Sequence, residues 1–140
     1  LRSSIPLIKY KAARGSNVRM KEERKVKVKL VNESRKITNN LFSLDFFQTE
    51  KVGDRYLPRS VEVYLEDEAG LLLSNRETII ADRKSDKAAD RTFKLRFTLK
   101  AGNYGKNKDY FLVIKDSETE LIEDRILYKI SLAISSDFDL

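Results

Sequence analysis

Apolar and polar residues alternate along residues 91–99 (RTFKLRFTL), and this is the clearest pattern in the chain. The apolar positions are Phe93, Leu95, Phe97 and Leu99, and the residues between them are lysine, arginine or threonine. A period of two places each set on its own face of a strand, whereas a helix would scatter the apolar residues around its circumference. The segment therefore predicts a β-strand with one buried face and one wet face.

A second segment, residues 110–114 (YFLVI), is apolar throughout. A short, continuous apolar run is typical of a strand that is covered on both faces. We expect it to be the partner of residues 91–99, and the two strands to form the middle of a β-sandwich or barrel.

The same patterns predict strands throughout the rest of the chain. Polar or glycine-bearing connections recur about every 10–15 residues, near the spacing of an immunoglobulin-like fold. Seven or eight strands in this arrangement predict an all-β, immunoglobulin-like antiparallel β-sandwich without cysteine or tryptophan. The further predicted strands cover residues 25–31, 41–48, 60–67, 77–81 and 125–133, with a shorter extended stretch at 71–73.

The first predicted strand carries a strip of lysines. Lys25, Lys27 and Lys29 alternate there with valine or leucine, so the lysines share one face. Such a strip is typical of an edge strand, where lysines discourage pairing with another chain. It also suits contacts to phosphate groups, and Arg19 and Lys21 would then extend the nucleic-acid contact.

Positive charge is concentrated at the N-terminus. The net charge is +6, but residues 1–29 hold ten lysines or arginines against two glutamates, which leaves 18 basic and 20 acidic residues in the rest. We predict a basic linker or arm at residues 1–23, a β-sandwich domain at 24–135 and an acidic tail at 136–140. The basic pI therefore belongs to the arm and the first strand.

Length and composition predict one soluble, cytoplasmic domain. A chain of 140 residues suits a single core, and no run approaches the roughly 18 apolar residues that a membrane helix needs. The absence of cysteine excludes disulfides and thiolate metal sites and fits the cytosol. Because the chain starts at Leu1 and shows no signal peptide, we expect it to be part of a longer protein.

No residue pattern predicts catalysis. Without histidine or cysteine, the chain lacks the usual general base, the commonest metal ligand and the most nucleophilic side chain. No phosphate-binding glycine loop, serine elbow or dinucleotide motif occurs. The acidic residues Glu66, Asp67 and Glu68 suit a solvated turn better than a cation site, because calcium loops space their ligands differently. We predict no catalytic, cofactor-binding or metal-binding residue.

Two loops have alternative interpretations. In residues 82–91, aspartates and arginines at both ends suggest ion pairs that hold the loop across the sheet, with a ligand site as the alternative. In the second loop, Tyr104 and Tyr110 accompany Lys106 and Lys108. These tyrosines suit either a cap on the core or a platform for stacking bases.

Five segments spread over roughly residues 26–135 share a family resemblance. They are residues 32–40, LDFFQTE at 44–50, TIIAD at 78–82, DRTFKLRFTLK at 90–100 and KNKDYFLVI at 106–114. Together they resemble the C-terminal region of the type A PglZ proteins of bacterial BREX phage-defence systems. The resemblance implies a cytoplasmic bacterial protein with a metal-dependent, alkaline-phosphatase-like domain upstream, so that no catalytic residue can be assigned to this chain.

Two hypotheses follow for function. The first is a non-catalytic accessory domain that docks on the upstream phosphatase-like domain and on other defence-system proteins, without a cofactor. The alternative is an accessory DNA-binding module that uses the basic arm and the first strand. The oligomeric state stays open.

Overall fold

A computed structural model describes residues 24–132 of the chain. They form eight β-strands and one short 3₁₀ helix at Ala88–Arg91, which confirms the predicted all-β fold. The predicted arm and acidic tail lie outside the described residues, as do residues 133–135. The strands are β1 (Val28–Leu30), β2 (Lys36–Ile37), β3 (Leu41–Gln48), β4 (Arg59–Asp67), β5 (Glu77–Ala81), β6 (Thr92–Thr98), β7 (Tyr110–Asp116) and β8 (Ile122–Ile130).

The strands are arranged in two sheets. One sheet has three antiparallel strands in the order β1-β3-β6, and the other has five in the order β2-β8-β7-β4-β5. Every pair in the second sheet is antiparallel except β2 and β8, which run parallel. The predicted, wholly antiparallel sandwich is therefore wrong at β2, and the immunoglobulin-like strand order is not confirmed.

β2 lies within residues 32–40, which the polar composition predicts to be a turn. Its pairing depends on long-range contacts: the Ser131 N–H donates to the Ile37 carbonyl and the Lys129 N–H to the Arg35 carbonyl, each at 2.9 Å. Ile37 is the apolar residue that anchors the segment in the core. One buried residue in a polar stretch is too weak a pattern to reveal such a strand.

The core lies between the inner faces of the two sheets. Alternate residues of β3 and β6 face alternate residues of β4, β7 and β8, as the period-2 pattern of β6 predicts. The Phe42 and Phe97 rings stack within the first sheet with their centroids 5.5 Å apart. The largest fully buried apolar side chains are those of Tyr128, Phe46, Phe97, Leu65, Ile79, Leu112, Ile114 and Ile130.

The position predicted for β6 is wrong. We expect residues 91–99 in the middle of the sandwich beside residues 110–114, but β6 is the edge strand of the three-stranded sheet and pairs only with β3. β7 is indeed internal, but it lies between β8 and β4 in the other sheet. Alternation shows which face of a strand is buried, whereas a place within a sheet depends on pairing with distant segments.

The first and last strands differ from their predicted bounds. β1 begins three residues later than predicted, because Lys25 forms an isolated parallel bridge with Leu57. β8 begins at Ile122 and ends at Ile130, earlier than the predicted 125–133. The interpretation of the lysine-bearing strand as an edge strand is confirmed, since β1 ends the three-stranded sheet.

Candidate interaction surfaces

A buried ion pair joins the start of β4 to the end of β7. The Arg59 Nη1 lies 2.7 Å from the Asp116 Oδ2, and these side chains are 13% and 2% exposed. The Arg59 Nε donates to the Val26 carbonyl at 2.7 Å, and the backbone N–H groups of Glu118 and Thr119 donate to the Asp116 Oδ1 at 2.8 and 2.9 Å. The Arg59 Nη1 also lies 3.1 Å from the Glu123 Oε2 on β8, so the pair is an internal brace that joins β4, β7 and β8 to the segment before β1.

The environment of Asp116 shifts its pKa. Burial by itself raises the pKa, but the N–H groups of Thr119 and Glu118 and the charges of Lys25 and Arg59 outweigh burial, so the pKa lies below its ordinary value. A carboxyl with a lower pKa in the folded state stabilises the fold at pH above its unfolded pKa. That stabilisation is lost as the pH falls through the folded pKa.

This shift predicts a pH-dependent effect of Asp116→Asn. We expect the variant to be less stable than the parent chain above about pH 5, and the difference to shrink below about pH 4, where the unfolded carboxyl takes up a proton. Urea denaturation from pH 3 to pH 7 measures it. A difference that stays constant over this range would show that the carboxylate charge is not involved.

Residues 82–91 are held mainly by hydrogen bonds to backbone atoms. The buried Gln48 accepts from the Arg83 N–H at 3.0 Å and donates to the Arg83 carbonyl at 2.8 Å. Arg91 donates to the Gln48 carbonyl at 3.0 Å and to the Ser85 carbonyl at 2.8 Å, with its guanidinium over the Phe47 ring. Ion pairs contribute little here, since Asp82 pairs with the adjacent, exposed Arg83 at 3.8 Å, and the pair of Asp86 with Lys51 is also exposed.

The acidic turn after β4 has a structural role. The Asp67 carboxylate accepts the N–H groups of Ala69 and Leu71, both at 2.9 Å, and Gly70 has a φ of +86° that favours glycine. Glu66 instead pairs with Arg125 at 2.9 Å. Within residues 24–132, no group of three or more acidic residues is arranged to hold a metal ion.

The tyrosines of residues 101–110 close one end of the core. Tyr110 is buried, and its ring meets that of Tyr104 edge to face at 5.8 Å. The Gly105 N–H donates to the Tyr110 hydroxyl at 2.8 Å, which fixes the loop. Between this loop and residues 67–73 runs an open groove of about 720 Å³. These contacts favour the cap over the base-stacking platform.

The outward side of the three-stranded sheet carries four exposed cations, which we call the basic face: Lys27, Lys29, Lys94 and Arg96. The register of the sheet brings them together. Lys29 lies opposite Phe47 of β3, and Lys94 and Arg96 lie on β6, which pairs with the other side of β3. Sequence analysis identified only the two on the first strand, because joining β6 to them requires the strand order.

The charge of the basic face is largely uncompensated. Lys94 lies 3.6 Å from the Asp45 carboxylate, whereas Lys27, Lys29 and Arg96 take part in none of the ion pairs found among residues 24–132. Lys25 is separate from this face, because its Nζ lies 3.0 Å from Glu118 in the turn between β7 and β8. Arg19 and Lys21 lie outside the described residues.

Arginines lie over two aromatic rings on the outward side of the five-stranded sheet, while Ile80 and Leu127 on the same side are 60% and 46% exposed. The Arg125 guanidinium lies 3.7 Å from the centre of the Phe111 ring, and Arg76 lies 5.3 Å from that of Tyr64. Tyr64 lies on this outward side and is only 9% exposed under this cover. No helix in the part of the chain that the structure describes is long and apolar enough to span a membrane.

These features define a small all-β domain with internally braced charges and a basic face. Comparison with known proteins then confirms the resemblance noted in the sequence: the chain is homologous to one segment of the alkaline phosphatase-like proteins PglZ and BrxZ. It is 44% identical over 136 residues to the alkaline phosphatase-like protein PglZ of Bacillus cereus (strain H3081.97). It is 26% identical over 135 residues to the alkaline phosphatase-like protein BrxZ of Escherichia coli O9:H4 (strain HS).

The match covers nearly all of this chain but only a small part of each relative. Each alignment covers 96% of this chain but only 16% of the relative, so the chain spans about a sixth of the length of the curated relatives it matches. No family model matches the chain.

Proposed function

We propose that the chain is a non-catalytic, C-terminal interaction domain of a cytoplasmic PglZ-like protein that acts in bacterial antiviral (BREX) defence. The match to a small segment of the two relatives supports its role as an accessory part of a larger protein. The observation that carries the proposal is the internal pairing of its buried charges. Arg59 binds Asp116, Glu123 and the Val26 carbonyl, and Asp116 accepts backbone N–H groups, which leaves other surface residues to contact partners.

Pairwise binding to the other proteins of the same defence system tests this proposal. The purified 140-residue chain is immobilised, and each defence protein is titrated over it by biolayer interferometry. We expect saturable binding by at least one of them, and competition by the free chain. If none binds the chain while the intact PglZ-like protein binds at least one, the domain is not the interaction module.

A second candidate function is an accessory contact to DNA, and the basic face favours it. Four exposed cations from two edge strands share this face. The one aromatic ring among them, Phe47, lies under the Arg91 guanidinium at 5.1 Å, which leaves it poorly placed to stack a base. The chemistry therefore fits phosphate contacts without sequence preference, as on duplex DNA.

Such binding should depend steeply on salt. With four cations in contact, a plot of log affinity against log salt should have a slope of about −3 to −4, so affinity for a 20-base-pair duplex falls about 100-fold between 50 and 200 mM salt. We expect Lys29→Glu with Arg96→Glu to weaken binding at least tenfold, measured by fluorescence anisotropy. The matched control Lys106→Glu, in the tyrosine loop, should leave binding unchanged. A loss caused by the control instead would move the contact to that loop.

A further inference from the structure

The hydrogen-bonding groups of β6 divide between its two sides. The Leu99 N–H donates to the Asn40 carbonyl on the β3 side, whereas the Lys100 N–H donates away from it, to the Leu73 carbonyl. Because alternate residues of a strand direct their N–H and C=O groups to the same side, the even-numbered residues of β6 present theirs to the free edge.

One half of this free edge is already closed. The Asn75 side chain donates to the Arg96 carbonyl at 3.1 Å and accepts from the Thr98 N–H at 2.8 Å. It thus occupies two positions that a neighbouring strand would use. The adjacent bridge between Ser74 and Leu99 extends this closure to the end of β6.

The N-terminal half of the edge, from Thr92 to the Arg96 N–H, has no such side-chain partner within residues 24–132. The Thr92 N–H is used by the Ala89 carbonyl, but the Thr92 carbonyl, both groups of Lys94 and the Arg96 N–H form no hydrogen bond there. This half borders an open slit of about 600 Å³ between β6 and β5, the edge strand of the other sheet. A row of four backbone groups beside an open slit is a template for an added strand.

The side chains around the slit specify the chemistry of such a strand. Phe93, Leu95 and Ile79 line it together with Arg83, whose guanidinium lies 5.0 Å from the centre of the Phe93 ring, so inward residues of an added strand would contact apolar groups and this cation. Lys94 and Arg96 stand exposed on the outer side, so the outward residues would lie beside two cations. Cross-strand pairs of opposite charge are favourable, and an alternation of apolar and acidic residues therefore fits both sides.

A second copy of the chain fits this edge poorly. Antiparallel pairing of β6 with itself would bring Lys94 and Arg96 of one copy against the same residues of the other. Like charges directly opposite each other on adjacent strands are destabilising, and lysines on an edge act against self-association. The charge of this edge thus favours an acidic partner over a second copy.

We propose that residues 92–96 of β6 bind an extended segment of a partner protein, with alternating apolar and acidic residues, as an additional strand. This inference rests on the proposed interaction role and specifies its site and the chemistry of the partner. Backbone hydrogen bonds to Lys94 and its neighbours provide the pairing, and the slit and the two cations provide the selectivity.

Three blocked heptapeptides test the proposal by NMR titration of the 140-residue chain. The first alternates glutamate and valine, the second alternates lysine and valine, and the third has the composition of the first with its valines adjacent. We expect only the first to bind measurably, with amide shifts centred on residues 92–96. Equal binding of all three peptides, or shifts centred on residues 100–110, would overturn the proposal.

Variants of Lys94 separate backbone pairing from charge. Lys94→Pro removes an N–H that points away from β3, so the native sheet keeps its hydrogen bonds. We expect it to weaken binding of the first peptide at least tenfold more than Lys94→Ala does, with circular dichroism as the check on folding. If the proline variant does not fold, the double variant Lys94→Glu with Arg96→Glu tests the site instead. This variant should bind the lysine peptide more tightly than the glutamate peptide. An unchanged preference would overturn the proposal.

The remaining outcomes distinguish this inference from the proposed function. If the chain binds a defence protein and Lys94→Pro binds it equally well, the β6 site is wrong and the interaction role stands. If the chain binds none of them while the intact PglZ-like protein binds at least one, the interaction role fails whatever the peptides do. The chain could instead form concentration-dependent dimers that Lys94→Pro abolishes. In that case the strand that binds β6 would belong to a second copy of the chain.

Discussion

Replacing Phe97 by alanine is expected to lower the free energy of unfolding by about 3–5 kcal/mol. Phe97 is 1% exposed and lies in the core between the two sheets, where its ring stacks on Phe42. The substitution removes most of a large buried side chain and leaves a cavity that the surrounding strands can fill only in part. A loss of this size would unfold a considerable fraction of a domain of ordinary stability.

Urea denaturation followed by circular dichroism measures this loss, with Leu41→Ala as the matched control. Leu41 lies on the neighbouring strand β3 but is 69% exposed, so its truncation should change stability by about 0.5 kcal/mol or less. Near-equal effects of the two substitutions would mean that Phe97 is not in the core and that the described packing of β6 is wrong.

Arg59→Ala has the second large expected effect, a loss of about 3 kcal/mol. The substitution leaves the Asp116 carboxylate buried without the cation at 2.7 Å, and it removes the hydrogen bond to the Val26 carbonyl. A buried charge that loses its partner keeps its desolvation cost, so breaking the pair costs more than the pair contributes to stability.

Two comparisons make the Arg59 result specific. Arg55→Ala, at an exposed position a few residues earlier, should change stability by about 0.5 kcal/mol or less. The double variant Arg59→Ala with Asp116→Ala should recover part of the loss, since the unpaired carboxylate is then removed. No recovery in the double variant would show that Arg59 acts through packing instead of through its charge.

Much of the local structure follows from the sequence. β3 and β5 have the predicted bounds, and the buried residues of β6 are those of its predicted inner face. These features depend on alternation within one segment, where side-chain direction is fixed by the geometry of the strand itself.

The arrangement of the strands could not be predicted in the same way. The edge position of β6 and the parallel pairing of β2 depend on segments far apart in the chain. The internal brace was missed for the same reason: Arg59 and Asp116 are 57 residues apart, and each resembles an ordinary charge at a strand end. Gln48 likewise shows its role only where residues 82–91 fold back over it.

The candidate interaction surfaces could be predicted only in part from the sequence. Lys27 and Lys29 were recognised as a strip from alternation alone, but Lys94 and Arg96 join them only through the register of β1, β3 and β6. The free edge of β6 depends on Asn75, whose side chain closes one half and leaves the other open. A polar residue in a connecting segment gives no sign of this in the sequence.

Deleting this domain from the intact PglZ-like protein tests the central claim most directly. The truncated and intact proteins are compared in two assays, any phosphoester hydrolysis that the intact protein carries out and co-elution with the other defence proteins on a sizing column. A non-catalytic interaction domain predicts that hydrolysis persists while co-elution with at least one partner is lost. Loss of hydrolysis by a folded truncated protein, with every complex intact, would contradict the account.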